Sequence, residues 1–130
     1  MTLVLQIEGA AISDIPGLYA EINRVFMANE DWQLGPSLDA LDDLLHGGYG
    51  VLAGHDHATV IWRDIAHSEA ALGVDATRAW LQAKLDAPGR FNAGLIAEQL
   101  AALQRGDGRT YFGIVMEIFR AHGNIELVRS

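Results

Sequence analysis

The sequence predicts an α/β domain: a small three-stranded parallel sheet flanked by helices, with additional helices inserted before the last helix and strand. Three observations lead there. Short apolar runs of strand length stand near the start, the middle and the end of the chain, and segments with helical spacing separate them. The composition is 50% hydrophobic and 20% charged over 130 residues, which is ordinary for a globular chain. A chain of that length can bury roughly two-thirds of its unfolded surface without disulfides or metal. Finally, the breaks between elements are short and there is no internal repeat, so residues 1–130 read as one domain, with about 74–108 as a helical insertion.

The elements follow in order. Leu3, Val4, Leu5 and Ile7 form the first strand, closed by Glu8-Gly9. Ser13-Asp14 supplies capping side chains and Pro16 suits a first turn. Ile15, Leu18, Tyr19, Ile22, Val25 and Phe26 then recur at helical spacing, which predicts a first helix to about Asn29. The stretch Glu30 to Pro36 is a loop holding Trp32 and Gly35, and Ser37 caps a second helix that starts at Leu38. Gly47-Gly48 stops that helix, because glycine enters the left-handed conformation without a Cβ clash. Thr59 to Trp62 is the second strand and Ile125 to Val128 the third. Between them Asp64–Leu72, Asp75–Leu85, Asn92–Gln104 and Thr110–Ala121 read as helices, punctuated by Gly73, Pro88-Gly89 and Gly106-Asp107-Gly108. The predicted core is Leu3, Leu5, Ile15, Leu18, Ile22, Leu38, Leu41, Leu45, Val60, Trp62, Val115, Phe119 and Leu127.

Charge narrows the function classes. There are 17 acidic against 9 basic side chains, a net charge of −8, which repels phosphate backbones and anionic lipid head groups. Direct binding to nucleic acid or membrane is not expected. The chain has no cysteine, and its opening apolar run is short, broken by Gln6 and without a basic flank, so the expected location is cytoplasmic. The excess is concentrated in residues 1–50, where eight acids face the single base Arg24. In the second helix Leu38, Leu41, Leu44 and Leu45 share one face, while Asp39, Asp42, Asp43 and His46 follow i, i+3, i+4, i+7 on the other.

With these residues in view, the chain resembles the barstar family of intracellular ribonuclease inhibitors. The likeness is carried by Ile12-Ser13-Asp14-Ile15, by Leu38-Asp39-Ala40-Leu41 with Asp43 and Gly47 following, and by Trp62-Arg63-Asp64-Ile65-Ala66-His67-Ser68 continuing to Leu72. It covers residues 2 to 72 and about 110 to 128. The resemblance implies a non-enzymatic binding protein without cofactor; the oligomeric state is left open by the sequence, with a monomer favoured. Its second helix and preceding loop would plug the active site of a basic secreted ribonuclease or related nuclease toxin. Asp39 and Asp43 match family positions that contact the enzyme, and Trp32, Gly35, Asp42, His46, Gly47 and Tyr49 surround them. The sequence also departs from the family. Trp32 is the only aromatic in a loop that carries tyrosines in barstar, Asp42 stands in place of a tryptophan, Tyr49 follows Gly48 where barstar has tryptophan, and Glu117 has no fixed counterpart.

The chemistry is sensible without the likeness, since a ribonuclease cleft attracts phosphates with Lys, Arg and His, and carboxylates one turn apart can occupy that field. Two alternatives stay open: a small metal-dependent hydrolase using Asp39, Asp42, Asp43 and His46, and a protein-interaction module of the same fold that inhibits nothing. A solvated helix face has the same spacing as the acidic set, so no metal is expected there. His55-Asp56-His57 reads as a polar turn without a third zinc ligand. Gly47-Gly48-Tyr49-Gly50 lacks the Lys-Ser/Thr of a phosphate loop. His67 and His122 have no nucleophile at recognisable spacing, and Trp62, Trp80, Phe112 and Phe119 read as core.

Overall fold

In the computed structural model residues 3–87, 89 and 91–130 are described. Thr2, at the start of the family likeness, and Pro88, read as a helix break, lie outside the described residues. The elements run β1 (Leu3–Glu8), α1 (Ile15–Phe26), α2 (Leu38–Leu45), β2 (Ala58–Arg63), α3 (Ile65–Ala71), α4 (Val74–Leu85), α5 (Ala93–Gln104), α6 (Tyr111–Ala121) and β3 (Ile125–Arg129). The three strands form one parallel sheet with β2 in the centre, pairing Leu5 with Val60 and Val60 with Leu127.

Local chemistry sets the helix ends. Asp14 accepts from the Gly17 N–H at 2.6 Å, Ser37 from Ala40, Asn92 from Leu95 and Thr110 from Gly113, each satisfying an N–H that a first helical turn leaves without a partner. α1 ends at Phe26, three residues short of the expected Asn29. The backbone leaves the helical region at Met27, whose N–H still reaches the Asn23 carbonyl, and Asn29 is then drawn off to donate to the Gly50 carbonyl.

One face of the sheet carries the core. Ile7, Val60 and Trp62 are fully buried there beside Leu18, Ile22, Leu41, Leu45, Val115 and Phe119. Leu3, Leu5, Ile15, Leu38 and Leu127 pack against this core but stay half-buried, short of the full burial expected. For the strand residues the reason is topological: β1 and β3 are both edges, so only β2 has neighbours on either side. The other sheet face is open, with Val4 54% and Val128 36% exposed, whereas parallel sheets usually have both faces covered.

Two buried polar links fix the frame. Ser68 stands at the centre of the first: Trp62 Nε1 donates to Ser68 Oγ at 3.0 Å and Ser68 donates to the Gly9 carbonyl at 3.0 Å, tying β2 to α3 and to the exit of β1. A side chain at Gly9 would meet the Arg63 carbonyl oxygen at 2.3 Å, so this crossing needs glycine. The second link is Glu21, only 5% exposed, which accepts from the Glu8 N–H at 2.7 Å and pairs with Arg24. Burial pushes its carboxyl upward, but the hydrogen bonds from Arg24 and Glu8 outweigh that and hold it below the ordinary 4.5.

A native value below the unfolded one means that Glu21 contributes stability above about pH 4.5, and that the contribution fades as pH falls through the native value. Glu21→Ala, which strands the Glu8 N–H, is expected to cost about 1–3 kcal/mol at neutral pH. Glu21→Gln keeps an acceptor without the charge and is expected to flatten the acid limb of a stability–pH profile measured by urea unfolding. Parallel acid limbs for wild type and Glu21→Gln would contradict the assignment.

α4 and α5 have their own small cluster of Leu81, Ile96 and Leu103. α4 is anchored to the start of α6. Thr77 Oγ1 accepts from the Tyr111 N–H at 2.7 Å and donates to the Gly73 carbonyl, and the Trp80 ring meets Tyr111 edge-on at 4.8 Å. Tyr111 in turn shares a buried hydroxyl–hydroxyl bond of 2.5 Å with Tyr19 of α1, and burial pushes both phenols upward.

Candidate partner-binding surface

The surface is built on α2. Leu41, Leu44 and Leu45 are fully buried beneath it, so the helix cannot roll without exposing them, and Ser37 caps its first turn. Gly47 closes it at φ +84, in the left-handed conformation foreseen for that position.

The face away from the core is divided. Asp39 and Asp43 are exposed, one turn apart, and neither has a salt bridge among the described residues. Asp42 is half-buried and turned aside: its Oδ1 accepts from His122 Nε2 at 2.7 Å, across 80 residues of sequence. His46 sits beside this pair, its Nδ1 2.9 Å from the Asp42 carbonyl and its ring edge-on to His122 at 4.7 Å. The i, i+3, i+4, i+7 set is therefore two groups, Asp39 with Asp43 and Asp42 with His46.

Loops bring aromatics alongside. Trp32, before α2, and Tyr49, after it, meet with ring centroids 5.0 Å apart, and Trp32 is 45% exposed. The loop after α2 is clasped by the end of α1: Asn29 donates to the Gly50 carbonyl and Glu30 accepts from the Gly50 N–H at 2.8 Å. Gly50 has φ +72, and a Cβ there would strike the Phe26 carbonyl oxygen at 2.5 Å, so close backbone packing accounts for a glycine here. Partial burial, then the nearby Asp43 carboxylate, push the Tyr49 phenol upward, keeping it a hydrogen-bond donor. Gly35 lies exposed in the loop, with open space where a side chain would be. Trp32, Asp43 and Tyr49 thus stand together, with Asp39 one turn back along α2.

The acidic face is not free of bases, as residues 1–50 alone suggested. Lys84 of α4 faces the beginning of α2 across a groove of about 650 Å³ lined by Pro36, Asp39, Trp80, Lys84, Phe91 and Tyr111. Its ammonium lies 3.8 Å from the Trp80 ring centroid. Burial pushes its pKa below the ordinary value, against the pull of Asp39. Nothing local could have found Lys84 or His122, because both reach α2 from elements far along the chain.

His55, Asp56 and His57 form an exposed turn. Glu117 pairs with Arg109 at 2.5 Å. No helix among the described residues is long and apolar enough to cross a membrane. No protein-family model, curated protein or solved structure matches the chain.

Proposed function

We propose that this chain is a barstar-like inhibitor of a basic secreted ribonuclease or related nuclease toxin, a cytoplasmic binding protein that blocks the enzyme's active site with α2 and the loop before it. The observation that carries this reading is the pair Asp39 and Asp43: exposed, a turn apart on a helix whose other side is buried, and without internal salt bridges among the described residues. A cleft that binds phosphates offers Lys, Arg and His, and two fixed carboxylates can take the places of substrate phosphates. Trp32 and Tyr49 supply amphipathic contact area beside Asp43, which suits a buried contact rimmed by charge. The order Leu38-Asp39-Ala40-Leu41…Asp43…Gly47 supports the same reading through its likeness to the barstar family.

The hydrolase alternative draws less support. It needs Asp39 and Asp43 to share a ligand set with Asp42 and His46, yet the ligand-sized cluster among the described residues is Asp42, His46 and His122. Inhibition is tested by titrating a basic secreted ribonuclease with the purified chain and following cleavage of a fluorogenic RNA. The expected result is a linear loss of activity to one equivalent. Full activity at excess chain, for each ribonuclease of a panel that includes one from the same organism, would remove the proposal.

A further inference from the structure

We propose that Asp42, His46 and His122 form a binding site for a zinc-type divalent transition metal at the junction of α2 with the α6–β3 connection. The proposal stands apart from the inhibitor reading, which rests on Asp39 and Asp43.

One ligand atom from each of the three residues lies within 4.8 Å of the others. Zinc bonds to His nitrogen and carboxylate oxygen are about 2.0–2.2 Å, which puts neighbouring ligand atoms of a tetrahedron roughly 3.4 Å apart. Closing the present arrangement onto an ion takes small side-chain rotations. Two of the three ligands can make them readily, since His46 is exposed and the Asp42 side chain is 49% exposed.

The third ligand is held in place. The His122 side chain is only 10% exposed. Its own N–H donates to the Phe119 carbonyl, and its carbonyl accepts from Ile125. Asn124 Nδ2 donates to the Leu45 carbonyl at 3.1 Å, clamping this connection onto the end of α2. Asp42 and His46 are spaced i, i+4, the spacing by which one helix face offers two ligands to a single ion.

Proton positions agree with the assignment. The Asp42 carbonyl can only accept, so the His46 nitrogen facing it, Nδ1, carries the ring proton and Nε2 is the lone-pair nitrogen. A carbonyl partner of this kind is the usual second contact of a metal-bound histidine. On binding, the ion takes the place of the proton that His122 Nε2 shares with Asp42, and that proton passes to Nδ1, so that the bound imidazole stays neutral. Two imidazoles and one carboxylate favour zinc and its neighbours over Mg²⁺ or Ca²⁺, which prefer all-oxygen shells. A tetrahedral ion with these three ligands keeps a fourth position for water or a partner's side chain.

The test is calorimetric titration of the full chain with Zn²⁺ and, separately, Mg²⁺, with thermal unfolding of each protein with and without zinc. One equivalent of Zn²⁺ is expected to bind with no stoichiometric Mg²⁺, and zinc is expected to raise the Tm. His46→Ala removes an exposed ring with little risk to folding and, like His122→Ala, is expected to weaken zinc binding at least about 100-fold, the upper end of what losing even an outer contact costs. His55→Ala/His57→Ala is expected to bind as wild type does. Absence of stoichiometric Zn²⁺ binding, wild-type affinity in His46→Ala, or loss of binding in His55→Ala/His57→Ala would each overturn the proposal.

Discussion

Trp62→Ala is expected to destabilise the protein by about 3–5 kcal/mol, the range for deleting a large buried aromatic. Trp62 is wholly buried in the central strand and meets Phe112 and Phe119 edge-on, with ring centroids 5.9 and 5.7 Å away. Its loss removes these contacts and leaves a cavity in the one layer that joins β2 to α6. The indole N–H adds a second effect, because Ser68 receives it and passes a hydrogen bond to the Gly9 carbonyl. Ser68→Ala is therefore expected to cost about 1–3 kcal/mol, as a buried donor and a buried carbonyl lose their partner. The two substitutions share a network, so the double variant should lose less than the two single losses added. Urea unfolding of the four proteins measures this. A Trp62→Ala cost under about 1 kcal/mol would show that the sheet is held elsewhere.

Asp43→Ala is expected to act on binding and to leave folding nearly unchanged. In a complex its carboxylate exchanges water for an Arg or Lys of the nuclease, and truncation leaves that cation buried and unpaired, at a typical cost of about 2–5 kcal/mol. Affinity should fall at least about tenfold, since roughly 1.4 kcal/mol is one decade. Folding stability should shift by no more than about 0.5 kcal/mol, because Asp43 is exposed and without an internal ion pair among the described residues. Raising salt from low to physiological should slow association of the wild type more than that of Asp39→Ala/Asp43→Ala, as screening removes the steering those charges supply. Equal salt dependence of the two proteins, read by stopped-flow, would mean that α2 does not guide the encounter.

The fold was largely legible because its signals are local. Strand-length apolar runs placed β1, β2 and β3, capping residues Asp14 and Ser37 marked the starts of α1 and α2, and Gly47 marked the end of α2. Burial was less legible. Alternation tells which face of a strand points inward but not that Leu3, Leu5 and Leu127 lie on edge strands, where coverage is partial. The exposed acidic pair followed from periodicity on α2, and the Trp62…Ser68 spacing has a physical reason in their buried hydrogen bond. The remainder of the site was hidden because it is tertiary. Helical spacing put Asp42 with Asp39 and Asp43, whereas His122 draws it away, and Lys84 enters from the distant α4. The Trp32 contact with Tyr49 depends on Asn29 and Glu30 holding the Gly50 turn, which no motif announces.

The measurement that bears most directly on the inhibitor proposal is calorimetric titration of a basic secreted ribonuclease from the same organism with the wild type and with Asp39→Ala/Asp43→Ala at physiological ionic strength. A one-to-one complex with the wild type, weakened at least about tenfold in the double variant, is the expected result. A wild type that forms no complex, or a double variant that binds with unchanged affinity, would contradict the assignment of α2 as the binding surface.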